Sequence, residues 1–195
     1  CSWENISAGA DHTCVRDSSG TVECWGQDNL DQHNVPNTPL SQVETKENGT
    51  CAIRETNGQV ACWGGGAGTA TLLGSIPVGN FQDLAVGHGH ACAVKTNGIL
   101  ECWGSDTNSW NRVNGAPYMS NAHSVGVSWF ASCAIDTDQA LQCWGHAGDG
   151  KTSSPTGQYE STVGGYGHHC ALTTLGRVRC WGDNSNGNQT SVPSH

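Results

Sequence analysis

Eleven cysteines and nine histidines are the residues of this chain best able to do chemistry. Ten cysteines fall into five couples: Cys14 with Cys24, Cys51 with Cys62, Cys92 with Cys102, Cys133 with Cys143, and Cys170 with Cys180. Zinc sites usually bring ligands in close pairs, roughly two to four residues apart, and these couples are wider than that. Cross-linking in an oxidising compartment is the better reading. If the members of a couple sit opposite one another on a hairpin, their Cβ atoms are close enough to bridge. Each small loop closed this way contributes about 2–3 kcal/mol on the chain-entropy model. Cys1 is left over and suggests an intermolecular bridge, a lipid attachment, a reactive thiol, or a mate outside this stretch.

The couples repeat with a period near 40 residues, and each ends in Cys-Trp-Gly, at Gly26, Gly64, Gly104, Gly145 and Gly182. A period of that size means one supersecondary unit stacked on itself. Five units, about 1–40, 41–80, 81–121, 122–159 and 160–195, make a single domain over 1–195. In the third unit Leu84-Ala-Val86, Cys92-Ala-Val94 and Ile99–Trp103 read as short strands, with Asn97-Gly98 supplying the left-handed turn position. Charged residues are 13%, hydrophobic ones 35%, and glycine reaches 27, a profile of short strands and many turns. The expected class is all-β. Trp25, Trp63, Trp103, Trp144 and Trp181 recur in register and are expected to pack between sheets.

A net charge of −9 argues against nucleic acid or an anionic membrane as the main partner. No apolar run is long enough to span a bilayer. The start at Cys1 reads as a processed form or as part of a longer protein. Three N-x-[ST] triplets, at Asn5, Asn48 and Asn188, join the cysteines in suggesting a secreted glycoprotein. There is no G-x-S-x-G, H-E-x-x-H or phosphate-binding loop, so neither enzyme activity nor a cofactor or metal is expected.

The stretches Ser7-Ala-Gly9-x-x-His12-x-Cys14, Ala85-Val-Gly87-x-x-His90-x-Cys92 and Val163-Gly-Gly165-x-x-His168-x-Cys170, each followed by the Trp-Gly pair, resemble the regulator of chromosome condensation repeat. The resemblance covers essentially the whole chain and implies a β-propeller of four-stranded blades. In style it is nearest to the compact bacterial propeller that inhibits β-lactamases. Most members have seven blades, so this is either a small five-bladed ring or a stretch from which two blades are missing. The closed ring, with one disulfide per blade, is the favoured expectation because five copies fill the chain. The founder's nuclear role is at odds with the disulfides, the glycosylation triplets and the acidic charge. Copies two and four depart from the pattern at Lys46–Gly49, at Gly126–Ala131 and at Gln139, which replaces the turn glycine, and should have the least regular loops.

His12, His90 and His168 share one repeat position and read as structural, while Gly49 and Ala131 break any fivefold ligand set. His88 and His169 lie outside that register and are better functional candidates. Four residues before the first cysteine of each couple stand Ala10, Glu47, His88, Trp129 and Tyr166. A position that varies on a constant framework is what a recognition face would show. His88, Trp129, Phe130 and Tyr166, with Trp110, are therefore the expected ligand-binding residues, suited to a protein or a glycan. The competing expectation is that these aromatics plug the axial channel. A second function, a structural subunit of an extracellular fibre, coat or oligomer linked through Cys1, is also consistent with the sequence.

Overall fold

A computed structural model describes residues 2–65, 75–106, 110–185, 187 and 189–192. Cys1 and Asn188 lie outside the described residues. Each repeat folds as a three-stranded antiparallel meander. Blade one is β1 (Trp3–Ala8), β2 (His12–Asp17) and β3 (Val22–Gly26); blade two is β4 (Leu40–Lys46), β5 (Gly49–Arg54) and β6 (Val60–Gly64). Blade three is β7 (Phe81–Val86), β8 (His90–Lys95) and β9 (Leu100–Gly104). Blade four is β10 (Ala122–Val127), β11 (Ala131–Asp136) and β12 (Leu141–Gly145), and blade five is β13 (Tyr159–Gly164), β14 (His168–Thr173) and β15 (Val178–Gly182). The first strands of all five line a common axis. The four-stranded blade implied by the family resemblance is absent among the described residues. The segments between blades carry Pro36, Pro39, Pro77, Pro117 and Pro155, which cannot donate to a ladder, and their described residues form no strand.

The register places Cys14 opposite Cys24, Cys51 opposite Cys62, Cys92 opposite Cys102, Cys133 opposite Cys143 and Cys170 opposite Cys180. All five couples are disulfides, one per blade. The glycine closing Cys-Trp-Gly has φ of 106° at Gly26, 87° at Gly64, 104° at Gly104, 110° at Gly145 and 106° at Gly182. A Cβ at Gly26 would lie 2.4 Å from the Asp11 carbonyl oxygen, so no other residue fits where the outer strand leaves the sheet.

Blades join through a repeated apolar contact. Trp63 of blade two packs with Leu40, Val43 and Ala52 on Cys14, Cys24 and Val22 of blade one. Trp103, Trp144 and Trp181 join the corresponding clusters at the next three interfaces. The indole N–H also donates to the preceding inter-blade loop: Trp63 to Gln32 O at 3.0 Å, Trp144 to Arg112 O at 2.8 Å, and Trp181 to Lys151 O at 3.1 Å. These tryptophans are structural, as their register implies.

The recurring histidines are a second tie. His12 Nε2 meets Thr50 Oγ1 at 2.8 Å and His90 Nε2 meets Ser132 Oγ at 3.0 Å, each reaching into the next blade. The glycine three residues earlier makes room for the ring, since a Cβ at Gly9 or Gly87 would come within 2.7 or 2.8 Å of the imidazole Cε1. Blade four has Ala131 at the histidine position, and His169 of blade five, in the place of Thr50 and Ser132, is fully buried. There it stacks on Trp181, with ring centroids 5.8 Å apart.

The irregularity expected of copy four is not found in its hairpin. Gln139 takes φ 67° and donates its N–H to Asp136 O, just as Gly98 (φ 83°) donates to Lys95 O. The Gln139 carbonyl then accepts from Tyr159 N, as Gly98 O does from Ala122 N, so pairing with the next blade imposes the turn whatever the residue.

Nor does the expected closed ring form. Trp3, Ile6 and Trp25 of blade one are exposed, although their counterparts in blades two to five are buried, and Val163 and Val178 of blade five are exposed as well.

Two outcomes follow from this architecture. Gly98→Ala, whose Cβ would sit 2.6 Å from Ser120 O, should destabilise the protein by more than about 1 kcal/mol. Gln139→Gly should be neutral or stabilising by up to about 1 kcal/mol, and denaturant midpoints read both.

Stability should also vary with pH. Burial holds His90 down to about 3 and His169 down to about 4, from 6.5. Both are neutral in the fold and take up protons on unfolding, so their contribution is full above pH 6.5 and is lost as pH falls toward 4 and 3. Glu44, buried beside the axis, is raised from 4.5 to about 7 and acts oppositely, favouring the fold as pH falls from 7 to 4.5. Melting temperature should therefore decline gently between pH 6.5 and 4.5 and steeply below. Glu44→Gln should steepen the upper segment; a flat profile from 6.5 to 4 would contradict these burials.

Candidate recognition face

The residues four before each first cysteine stand two positions ahead of β2, β5, β8, β11 and β14, in the tight link from inner to middle strand. There the backbone runs blade to blade, with Ala10 N donating to Glu47 O at 3.0 Å and Trp129 N to Tyr166 O at 3.2 Å. Side chains at this link are carried on the ends of rigid strands.

The structure brings all five expected ligand-binding residues into one continuous cluster across blades three to five. His88 and Trp129 stack with centroids 3.7 Å apart and planes 7° from parallel. Trp129 meets Tyr166 at 4.8 Å, Tyr166 meets Phe130 edge-on at 5.3 Å, and Phe130 meets Trp110 edge-on at 4.9 Å. His146 completes the far end, 5.8 Å from Trp110 and 6.0 Å from Phe130. Tyr166 is the most open member, 55% exposed, and the others are half-buried.

Beneath the cluster lies Arg112, only 1% exposed. Its Nη1 donates to His88 O at 2.8 Å and to Trp129 O at 3.0 Å, and its Nη2 donates to Ser105 O at 3.0 Å. Its guanidinium also faces the Trp110 ring at 5.0 Å. Asp106 holds the Arg112 segment by accepting from its backbone N–H at 2.6 Å. Burial lowers the Arg112 pKa, with Asp106 opposing the shift. The guanidinium thus fixes the spacing of the blade-three and blade-four links. Sequence reasoning missed both Arg112 and His146. The available signal was a lone arginine beside Trp110 in a chain with only eight lysines and arginines.

Glu47 of blade two continues the row, its Oε1 2.6 Å from His88 Nδ1. A cavity of about 210 Å³ opens where blade one has only Ala10, walled by Trp129 and Tyr166 and floored by Lys46 and Glu47. Burial lowers the Lys46 pKa, against the opposing effects of Glu47 and Glu44. The axial cavity, about 360 Å³, adjoins it through Ala8 and Lys46 and is lined by Ser7, Gln42, Glu44, Asp83, Ser124 and Thr162 among others.

Asn5 and Asn48 are both partly buried. The Asn5 side-chain oxygen accepts from Val43 N at 3.1 Å, a link between blades one and two. Asn48 lies in the β4–β5 turn, and the Thr50 of its triplet is the buried partner of His12.

The Regulator of chromosome condensation (RCC1) repeat model matches residues 3–32 and 161–188, that is, parts of the first and last blades. The ectodomain of the Physcomitrella patens receptor kinase CR4 superposes with a TM-score of 0.80 at 22% identity, over 99% of this chain and 56% of that chain. Prp20p from Saccharomyces cerevisiae superposes with a TM-score of 0.79 at 14% identity, over 98% of this chain and 59% of that one. Two of the five repeats thus match that repeat family, on a β-propeller fold. The CRINKLY WD40 ectodomain of the Arabidopsis thaliana receptor kinase ACR4 is also similar, at 18% identity and a TM-score of 0.73, over 93% of this chain and 72% of that one. The chain thus spans little more than half the length of the CR4 and Prp20p chains it matches.

Within this repeat scaffold, Arg112 should control the rim. Arg112→Lys cannot make the three forked bonds and leaves carbonyls unpaired, which should cost about 1–3 kcal/mol. Near-UV circular dichroism should lose intensity as His88 and Trp129 unstack, and an unchanged spectrum would deny Arg112 its positioning role.

Proposed function

We propose that this chain is an extracellular, non-enzymatic recognition propeller that binds a protein partner through the rim formed by His88, Trp110, Trp129, Phe130 and Tyr166. The observation carrying this reading is the single aromatic cluster itself: residues from three blades converge on one face, held from below by a buried arginine. Amphipathic aromatics that lose little entropy on binding are the usual anchors of protein interfaces. The five disulfides suit an oxidising, extracellular setting. Two structurally similar proteins are ectodomains of receptor kinases, and Prp20p is described by its binding to Gsp1p and histones, which agrees with propellers of this shape acting as binding modules.

A protein partner suits the rim better than a glycan. Ala10, Glu47, His88, Trp129 and Tyr166 differ from blade to blade, whereas a multivalent lectin would repeat its sugar-binding residues. The cavity beside Ala10 would accept one inserted side chain, with Lys46 and Glu47 able to pair with its polar end.

Pull-down from the native extracellular fluid, quantified by mass spectrometry and run beside a glycan array, tests the reading. One protein should be enriched, and Tyr166→Ala or Trp129→Ala should weaken its binding about 30-fold, the effect of losing one interface anchor. Tyr166→Ala should leave the melting temperature unchanged. Binding that survives both substitutions, or glycan signals of equal strength in wild type and variants, would refute the assignment.

A further inference from the structure

The eight lysines and arginines divide sharply between the two sides of the propeller. Arg16, Arg54, Lys95, Arg177 and Arg179 stand at or near the strand ends away from the aromatic rim. Lys46, Arg112 and Lys151 lie on the rim side, and each is engaged within the fold. Arg112 is 1% exposed and holds three carbonyls. Lys151 is 3% exposed, and its Nζ donates to Gly148 O at 2.9 Å and to Asp149 Oδ2 at 2.6 Å. Lys46 Nζ donates to Gly164 O at 3.3 Å.

The carboxylates on that side reach water. The loop after each closing glycine is tied to a rim link: Gln27 N donates to Asp11 O at 2.7 Å, Ser105 N to Gly89 O at 2.7 Å, His146 N to Phe130 O at 2.9 Å, and Asp183 N to Gly167 O at 2.9 Å. Acids on these loops and links therefore border the aromatic cluster. Asp11 is exposed, and the side chains of Asp28 and Asp149 are 51% and 66% exposed. Glu47, Asp106 and Asp183 are partly buried. The face is aromatic at its centre and acidic around it, with its cations turned inward.

We propose that the protein partner of this rim presents a basic segment, one of whose cationic side chains enters between Trp129 and Tyr166 and pairs with Glu47. The inference rests on the rim being the recognition face. Trp129 and Tyr166 wall the cavity that Glu47 helps to floor, their centroids 4.8 Å apart and their planes tilted by 53°. A cation over such a ring is attracted by its quadrupole, and a guanidinium also stacks flat on it. Glu47 meets His88 Nδ1 through Oε1 at 2.6 Å, and a carboxylate accepts at both oxygens, so it can serve a second cation. The surrounding carboxylates steer a basic segment inward and repel an acidic one. Lys46 borders the same cavity, but its ammonium is held at Gly164 on the axial wall, with Glu44 and Glu47 beside it.

The test uses the disulfide-bonded protein and a phage-displayed random peptide library, selected on wild type after depletion on Tyr166→Ala. Peptides that need the intact rim should be enriched in arginine and lysine over the library and poor in aspartate and glutamate. A synthetic peptide of the selected consensus should bind about tenfold more weakly when salt rises from about 50 to about 300 mM, because exposed charges are screened. Glu47→Gln, its fold verified by circular dichroism, should weaken that peptide about tenfold through loss of one charge-assisted pair. Rim-dependent peptides that are neutral or acidic, or binding indifferent to salt, would overturn the inference while leaving the rim its recognition role. Unchanged affinity in a folded Glu47→Gln protein would also overturn it. A library that yields no rim-dependent peptide would overturn both readings.

Discussion

Each internal tryptophan lies with its ring on the disulfide of the preceding blade, and in three cases its N–H reaches a carbonyl of the intervening loop. That contact joins the covalent part of the structure to its packed part. The bridge makes each three-stranded sheet a stiff unit, which a hairpin with one extra strand would scarcely be alone. The indole then covers the bridge and fixes the approach of the next sheet. Apolar burial of a large flat side chain drives the contact, and the N–H bond gives it one orientation. The glycine after the tryptophan is required because the chain must turn within van der Waals reach of its neighbour's backbone at that point.

A second, polar layer nearer the axis refines this arrangement. The imidazole of His12 or His90 crosses to a hydroxyl of the next blade, over a glycine that makes room for it. Where blade four has Ala131 in place of a histidine, blade five supplies His169 from the opposite side, so an interface keeps one ring of similar bulk. Such exchange is how a repeat protein tolerates drift in sequence without changing the spacing of its units.

The rim follows from this spacing. Residues four before the first cysteine are held through their backbones, at the strand ends and from blade to blade, so their side chains are at liberty to vary. In blades three to five they are large rings that touch, and Arg112 ties the carbonyls of two of them into a single plate. A buried guanidinium is expensive to desolvate, and its bonds to three carbonyls offset that cost. The result is a rigid face, which loses little entropy when a partner arrives.

The repeat, the disulfide couples, the strand order and the placing of the tryptophans between blades were legible in the residues alone. All depend on contacts within one unit or between neighbours in register, and recurrence displays those directly. Of the five rim residues, His88, Trp129 and Tyr166 were legible as variable positions on a constant frame, and Phe130 and Trp110 only as further aromatics. Their mutual stacking, the axial cavity and the role of Arg112 were decided only in three dimensions, because they depend on side chains from blades about 40 residues apart converging at one depth. The open arc belongs to the same class. A count of repeats gives the number of blades, but the angle at which bulky side chains let two sheets meet decides whether five of them complete a circle.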